Sequence, residues 1–510
     1  DYLSSLESLV NLGFPIYTLR KHNLLCYLRK AFCKTPKSIF NNELRSLFSC
    51  NLLHFDYCVS AVHNRTYTPN EGDFIVQHFQ TSLFYDLQEL IRNSPLLRKY
   101  YYLFKALNLS ALPDRNDRLG RTGHSRHAIL RAFIIKHLER IKSVPQLIDY
   151  LNSIPPLLEM CGFDLGCLPD ESQFYRFLKN TKNSTLKHLH QKLNQRLIDG
   201  GFIQLDQFIL DSKPIMAATK ENNLKNPNRN SRDKTKIPKR NPRATLSYYS
   251  CQVVNGKKEN LIFFWGYRTH TLITKEGICL IELTLPNNIT DQEAAFRLIK
   301  ALKRKYGVKK GSLFLADKAY DAKAVYDFIV GELKSKAYIP INPRNTRDDK
   351  TFGPHGCPLC DAGIEMKSAG RCQEPKRQRI KFRCPLKTSK KVAQKYDHTC
   401  PANHPLFDTG KCYGCTKYID ITNDARSMVP RDSKEYKETF KTRQVVEQYY
   451  SRLGDREAEQ TTHYGFRAIQ NQMTIAHLTA SLIAVAAAIL LEQPQKIRCW
   501  RTFAQPAEVA

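Results

Sequence analysis

The chain has 510 residues and a formal net charge of +31, from 79 Lys and Arg against 48 Asp and Glu. With 42% apolar and 25% charged residues it reads as globular, not disordered, and a prior of roughly 150 residues per domain predicts about three domains. So basic a chain points to a polyanionic partner, because each cation that neutralises a phosphate releases condensed counterions. Charge alone does not separate DNA from RNA, and the lack of a basic amphipathic helix with a bulky apolar face argues against a membrane surface.

Residues 1–110 read as mostly helical, with clusters such as Leu83-Phe84-Tyr85 and Tyr100-Tyr101-Tyr102, but no chemistry can be assigned to them. Cys26, Cys33, Cys50 and Cys58 have no ligand-like spacing. No charged start followed by an apolar block occurs in residues 1–30, so no secretory signal is expected there. Sixteen cysteines without such a signal indicate reduced thiols or metal ligands, not disulfides.

Residues 111–200 form the next predicted unit. Leu112 to Gly123 is a polar linker. His127 to Arg140 has apolar residues at helical spacing, Ser143-Val144-Pro145-Gln146 is a helix start, and Pro169 to Phe177 opens a further helix. Short helices with interleaved basic residues fit a helix-turn-helix-like DNA reader. An ordinary helical bundle fits this segment equally well.

From 201 to 344 the pattern changes to strands, at Phe202–Leu210, Leu246–Val254, Leu261–Thr269, Gly277–Leu285 and Ser312–Ala316. Helices are predicted from Asp291 to Tyr306 and from Ala322 to Leu333. Hairpin-like strands followed by alternating helix and strand predict a mixed α/β sheet. Within it, Lys220 to Arg243 carries nine Lys or Arg against Glu221 and Asp233 and reads as a mobile basic loop.

Residues 345–430 are an insertion rich in Cys, Pro and charge. Residues 431–510 contain a helix around Phe440 to Tyr450, then the apolar stretch Met473 to Leu491. That stretch is long enough to span a membrane, but His477, Thr474, Thr479 and Ser481 favour a buried packing helix.

Three carboxylates stand out. Asp211 and Asp317 each follow an apolar run, so each is expected at a strand end, where ligands collect in open α/β sheets. Glu447 is expected on one helical face with Arg443 and Phe440. Converging carboxylates repel unless a cation neutralises them. Mg²⁺ prefers hard oxygen ligands and shares its shell with phosphates, and two such ions can activate water and stabilise a leaving oxygen. Taken singly, each Asp also fits a turn or cap residue, with Asp206 and Asp321 as nearby competitors, and Arg443 with Glu447 fits a surface ion pair.

In their joint order these segments resemble the DDE transposases of bacterial insertion sequences. Ile209-Leu-Asp211-Ser-Lys-Pro resembles the first-aspartate strand. Gly266-Tyr267-Arg268-Thr269-His270 resembles the Gly-Tyr-Lys-x-His strand, and Leu283 to Asp291 the following strand and loop. Leu315-Ala-Asp317-Lys-Ala-Tyr320 is similar to the second-aspartate motif, with Ala319 in place of glycine. Phe440-x2-Arg443-x3-Glu447 resembles Tyr-x2-Arg-x3-Glu, with Phe for Tyr. The family's next lysine falls on Gly454, so that contact is absent or supplied by Arg452 or Arg456.

The resemblance covers roughly residues 110–490 and implies an RNase H-like catalytic domain, a mixed sheet flanked by helices, with a helical N-terminal DNA-binding region. It implies metal-dependent cleavage of transposon ends and transfer of the 3′-hydroxyl strand into target DNA. Asp211, Asp317 and Glu447 would hold two Mg²⁺ or Mn²⁺ ions, and Arg443, Phe440 and Arg452 would contact DNA. Terminal repeats and target DNA would be the partners, with a dimer on DNA in a prokaryotic cytoplasm and no membrane. Two alternatives stay open: a nuclease that cuts without joining, and a zinc-containing DNA-binding protein derived from a transposase with a dead site.

Seven of the 16 cysteines fall in the insertion. Cys357-Pro-Leu-Cys360 and Cys412-Tyr-Gly-Cys415 have the spacing with which paired thiolates grip tetrahedral zinc. Cys384 and Cys400, with His398 and His404, are spare ligands, and Cys372 completes the set. A metal would staple a segment too polar to form its own core. Free thiols are the alternative. Ten Lys or Arg between Arg371 and Lys395, against Glu374 alone, add a basic face for a DNA backbone or simply a solvated charge run.

Overall fold

The computed structural model describes residues 86–115, 123–223, 235–254, 257–342, 352–375, 377–408, 414–421, 425–454 and 461–499, with side chains of 249–261 excepted. Expectations for residues 1–85, for most of the basic loop, and for Cys412 and Arg456 lie outside the described residues. Residues Phe79–Ala510 form one compact unit.

Among the described residues seven helices precede the sheet: α1 (Leu87–Asn93), α2 (Pro95–Ala106), α3 (Arg126–Leu138), α4 (Val144–Ser153), α5 (Pro155–Cys161), α6 (Glu171–Asn180) and α7 (Asn183–Asp199). Their starts follow from local chemistry. Ser125 Oγ accepts from Ala128 N at α3, and Ser143 and Gln146 close a reciprocal capping box at α4, with Pro145 in the first turn. Asp170 caps α6. Each cap satisfies an amide the helix itself cannot.

The sheet comprises β1 (Gln207–Met216), β2 (Thr245–Val254), β3 (Lys257–Thr274), β4 (Cys279–Pro286), β5 (Leu313–Leu315) and β6 (Lys336–Tyr338). Its order is β4-β3-β1-β5-β6, with β2 paired to the first half of β3. β3 is antiparallel to β1, while β1, β5 and β6 run parallel. Three antiparallel strands followed by two parallel ones is the order of an RNase H-like sheet.

The helix α8 (Asp291–Tyr306) links β4 to β5 and buries Ala294, Ala295, Leu298, Ile299 and Leu302. Thr290 caps it, acidic residues fill its first turn and basic ones its last, which complements its dipole. After β5 come α9 (Lys323–Tyr326) and a π-helical turn, Asp327–Glu332, where one regular helix was expected. β6 escaped the sequence reading because three residues carry too little periodicity.

The insertion contains an antiparallel sheet of β7 (Lys367–Glu374), β8 (Arg377–Arg383) and β9 (Thr416–Asp420), with α10 (Pro385–Thr388) and α11 (Lys390–Lys395) between the last two. The expectation that it lacks a core is corrected. Among its described residues ten buried side chains cluster, including Met366, Ile380, Phe382, Leu386, Phe407 and Ile421, and the other four are cysteines.

After the insertion come α12 (Lys434–Lys441), α13 (Gln444–Gly454) and α14 (Phe466–Val485). A single helix through Phe440, Arg443 and Glu447 was expected, but the helix breaks at Thr442-Arg443. The amides there bond three residues back instead of four, Arg443 N to Phe440 O at 3.0 Å and Val446 N to Arg443 O at 3.1 Å. The Thr442 hydroxyl is occupied by Thr439 O and by Gln207 of β1.

The helix α14 is the buried packing helix anticipated from its polar residues. His477 Nδ1 pairs with Tyr449 Oη at 2.6 Å and Nε2 with Thr269 Oγ1 at 3.2 Å. Asn471 donates to Leu178 O and Thr181 O, and Ser481 meets His190 at 3.0 Å. The helices of 126–199 thus pack on α14, with buried polar groups satisfied across the seam.

Candidate active site

β1 was expected to end at Asp211. It instead begins at Gln207 and continues to Met216, because β3 pairs with it from Phe208↔Thr274 to Met216↔Gly266. Its parallel partner β5 stops earlier, at Ile209↔Leu315. Two steps beyond that pair the chains reach Asp211 and Asp317, so the two aspartates sit side by side where the parallel ladder ends. Past Ile209, β1 is paired on one side only, an edge that tolerates Pro214.

Gly266 explains part of its own motif. It pairs with Thr245 of β2 and with Met216 of β1, the point where β3 changes partners. A Cβ there would stand 2.1 Å from Ile215 O, so only glycine allows the approach.

Asp211 is largely buried. Its Oδ1 accepts from Ser212 N at 2.8 Å and its Oδ2 from Arg443 Nη2 at 3.4 Å. Burial pushes its pKa up to about 6, against the opposing pull of Arg443 and the Ser212 amide, with Asp317 and Asp291 adding to the rise. Asp317 accepts from Ala319 N at 2.9 Å and caps the turn Lys318–Tyr320. Burial raises its pKa too, while the Ala319 amide and Arg443 oppose. Ala319 is not among the residues with positive φ, so alanine replaces the family's glycine there without strain.

Glu447 is exposed on α13 and accepts from Arg443 Nη1 at 2.6 Å. Arg443 therefore joins Asp211 to Glu447. Among the described residues no group of three His, Cys, Asp or Glu side chains is closed tightly enough to hold a metal ion. The arrangement is a buried aspartate pair with the glutamate one guanidinium away.

The other two residues expected to contact DNA have these surroundings. Phe440, half-buried, stacks on Tyr436 at 5.3 Å, and Tyr436 on Tyr338 at 5.8 Å. Arg452 faces Arg498, Tyr449 and Cys499, and burial and Arg498 lower its pKa.

Sequence reasoning did not assign Asp291 or Tyr450 to the site. Asp291 opens α8 and accepts Ser212 Oγ at 2.8 Å and Arg268 Nη1 at 3.3 Å, with His270 Nδ1 3.5 Å away. His270 is fully buried, and burial depresses its pKa to about 4, against the pull of Asp291, so it is neutral at neutral pH. Arg268 and His270 lie in the Gly-Tyr-x-x-His segment, the signal available in the sequence. Tyr450 Oη contacts Asp211 O at 2.9 Å and Thr271 Oγ1 at 2.7 Å. A strand-distant tyrosine gives no such signal, because its register with β1 exists only in the fold.

In the insertion, Cys384 and Cys415 share a side-chain hydrogen bond with Cys360 beside them. Cys357 lies against Asp432 instead, and its thiol is pushed up by burial and that carboxylate. Cys400 is half-buried against the same cluster, and Cys372 is half-buried on β7.

The family described as "Transposase DDE domain" matches residues 204–483, more than half of the chain, and "Transposase domain (DUF772)" matches 80–180. No curated protein matches. Among solved structures, a piggyBac transposase synaptic complex with hairpin DNA is similar at 11% identity, covering 82% of this chain and 87% of that one, with a TM-score of 0.25. A Mos1 transposase paired-end complex with left transposon end is similar at 15% identity, covering 53% and 78%, with a TM-score of 0.16. At such TM-scores neither likeness adds weight. On the family match, this chain is a member of the DDE transposase domain family.

Proposed function

We propose that this transposase cuts transposon ends and joins their 3′-hydroxyls to target DNA at a site built from Asp211, Asp317 and Glu447. The observation that carries the reading is the aspartate pair at the end of the β1–β5 ladder, tied to Glu447 through Arg443. DDE transposases are metal-dependent enzymes, and the donor set fits hard cations: carboxylate oxygens, two of them buried enough that an uncompensated charge is costly. Asp211 and Asp317 would hold magnesium or manganese, with Glu447 completing the set. Bound in a pair, such ions activate the attacking oxygen and stabilise the leaving one.

The remaining work belongs to the chain's own groups. The Ser212 amide orients the Asp211 carboxylate, and the Ala319 amide orients that of Asp317. Arg443 presents a fork suited to a phosphate oxygen once DNA is bound. The Asp291–Arg268–Ser212 network braces β1 from the α8 side. The net charge of +31 favours a DNA backbone, and the helices of 126–199 are assigned the reading of terminal repeats. Two copies of the chain on paired ends, in a prokaryotic cytoplasm, complete the reading.

The test uses purified chain, Mg²⁺ and DNA carrying the element's terminal repeats. End cleavage followed by strand joining is expected. Cutting without joining would identify a nuclease, and binding without cutting a non-catalytic DNA-binding protein. Asp317→Asn is expected to lower cleavage on the order of 10³-fold while sparing binding. Cleavage at the normal rate would remove Asp317 from the site.

A further inference from the structure

The insertion contains a second constellation that the phosphodiester chemistry does not use. We infer that Cys360, Cys384 and Cys415 form a thiolate centre for a structural zinc ion. The three come from separate segments, and the fold brings them together by independent means. The β8–β9 ladder ends on the antiparallel pair Arg383↔Thr416, so one further step sets Cys384 opposite Cys415. Cys360 enters from a tight turn in which its amide donates to Ile364 O and Gly363 N donates to its carbonyl, both at 2.9 Å. Lys417 Nζ holds that turn to β9 through Leu359 O at 2.8 Å.

Two glycines make the approach sterically possible. Gly363 adopts φ 71° in the Cys360 turn. Gly414, immediately before Cys415, has φ 70°, and a Cβ there would lie 2.6 Å from Cys384 Cβ and 3.0 Å from its Sγ. Any larger residue would drive the two thiols apart. All three thiols are buried and none is in a disulfide.

Simple packing explains buried free cysteines one at a time. It explains less well why, among the described residues of a small, strongly basic insertion, four of the ten clustered core side chains are cysteines, with Cys384 and Cys360 both beside Cys415. Among the described residues no three such side chains stand close enough to hold an ion as they are, so the sulfurs would have to draw together on binding, and tetrahedral zinc takes a fourth ligand. Zinc here would add to the small apolar core the stabilisation that metal binding couples to folding.

The test is independent of the carboxylate site and runs on full-length chain, both native and Asp317→Asn. Elemental analysis after purification without chelators should find about one zinc per chain in both. Cys384→Ser and Cys415→Ser should lose it, and Cys372→Ser should keep it. In the native chain, alkylation read by mass spectrometry should spare Cys360, Cys384 and Cys415 until a zinc chelator is added, while Cys372 and Cys499 react throughout. The residue released together with those three is the fourth ligand. A zinc-free native chain, full zinc in Cys384→Ser, or protection that survives chelation would each overturn the proposal. The alkylation pattern needs no variant to fold.

Discussion

Arg443 reaches Asp211 across 232 positions of sequence, its Nη2 standing 3.4 Å from Oδ2. The same guanidinium holds Glu447 at 2.6 Å. One side chain on the break between α12 and α13 thus sets the spacing of the carboxylates and partly offsets the burial that raises Asp211.

Removing this bridge should therefore weaken catalysis more than folding. Hydrogen bonds to charged groups are worth about 1.5–3 kcal/mol, so Arg443→Ala should slow end cleavage about 10- to 100-fold. Arg443→Lys keeps the charge but not the fork and should recover only part of the rate. Single-turnover cleavage on pre-bound DNA measures both. Equal rates for Arg443→Ala and the native chain would exclude the role.

Asp211 carries a pH signature of its own. Its folded pKa, about 6, lies above the ordinary carboxylate value of 3.8. A raised pKa means the folded state favours the protonated form. The associated stability is complete below pH 3.8 and is lost as pH rises through about 6. In the presence of EDTA, Asp211→Asn should thus be more stable than the native chain at pH 8, on the order of 2 kcal/mol. The difference should shrink towards pH 4, as read by denaturant melts at each pH.

Gly266→Ala should destabilise the sheet, since its Cβ meets the Ile215 carbonyl where β1, β2 and β3 converge. Overpacking of this kind costs about 1–3 kcal/mol. Thermal melts check it, and an unchanged Tm would show that β1 and β3 can separate freely.

Asp321, the competitor carboxylate, has a structural partner set. It is fully buried and accepts from Arg426 Nε at 2.8 Å, Asn342 N at 2.7 Å and Tyr326 Oη at 3.1 Å. Asp321→Ala strands a guanidinium and should cost about 3–5 kcal/mol. Chemical denaturation reads that loss, which should exceed the effect of Asp317→Ala.

Tyr450→Phe deletes a buried hydroxyl that meets Asp211 O and Thr271 Oγ1. A loss of about 1–3 kcal/mol is expected from the stranded acceptors. Melting gives the stability term, and the cleavage rate in the same variant reports whether the backbone at Asp211 has shifted.

The sequence by itself determined the main helices and strands between 126 and 316, the two aspartates and the glutamate worth testing, and the identity of α14 as a packing helix. Those features are local: apolar runs, capping residues such as Thr290 and Ser143, and polar groups such as His477 that lipid would not accept. Only the tertiary structure decided that Asp211 sits mid-strand, that the helix breaks at Thr442-Arg443, and that Cys415 has Cys384 and Cys360 beside it while Cys357 meets Asp432. Each of these depends on which strand pairs with which and where a ladder stops. Register is a relation between distant segments set by burial and hydrogen bonding, and no periodicity within one segment encodes it.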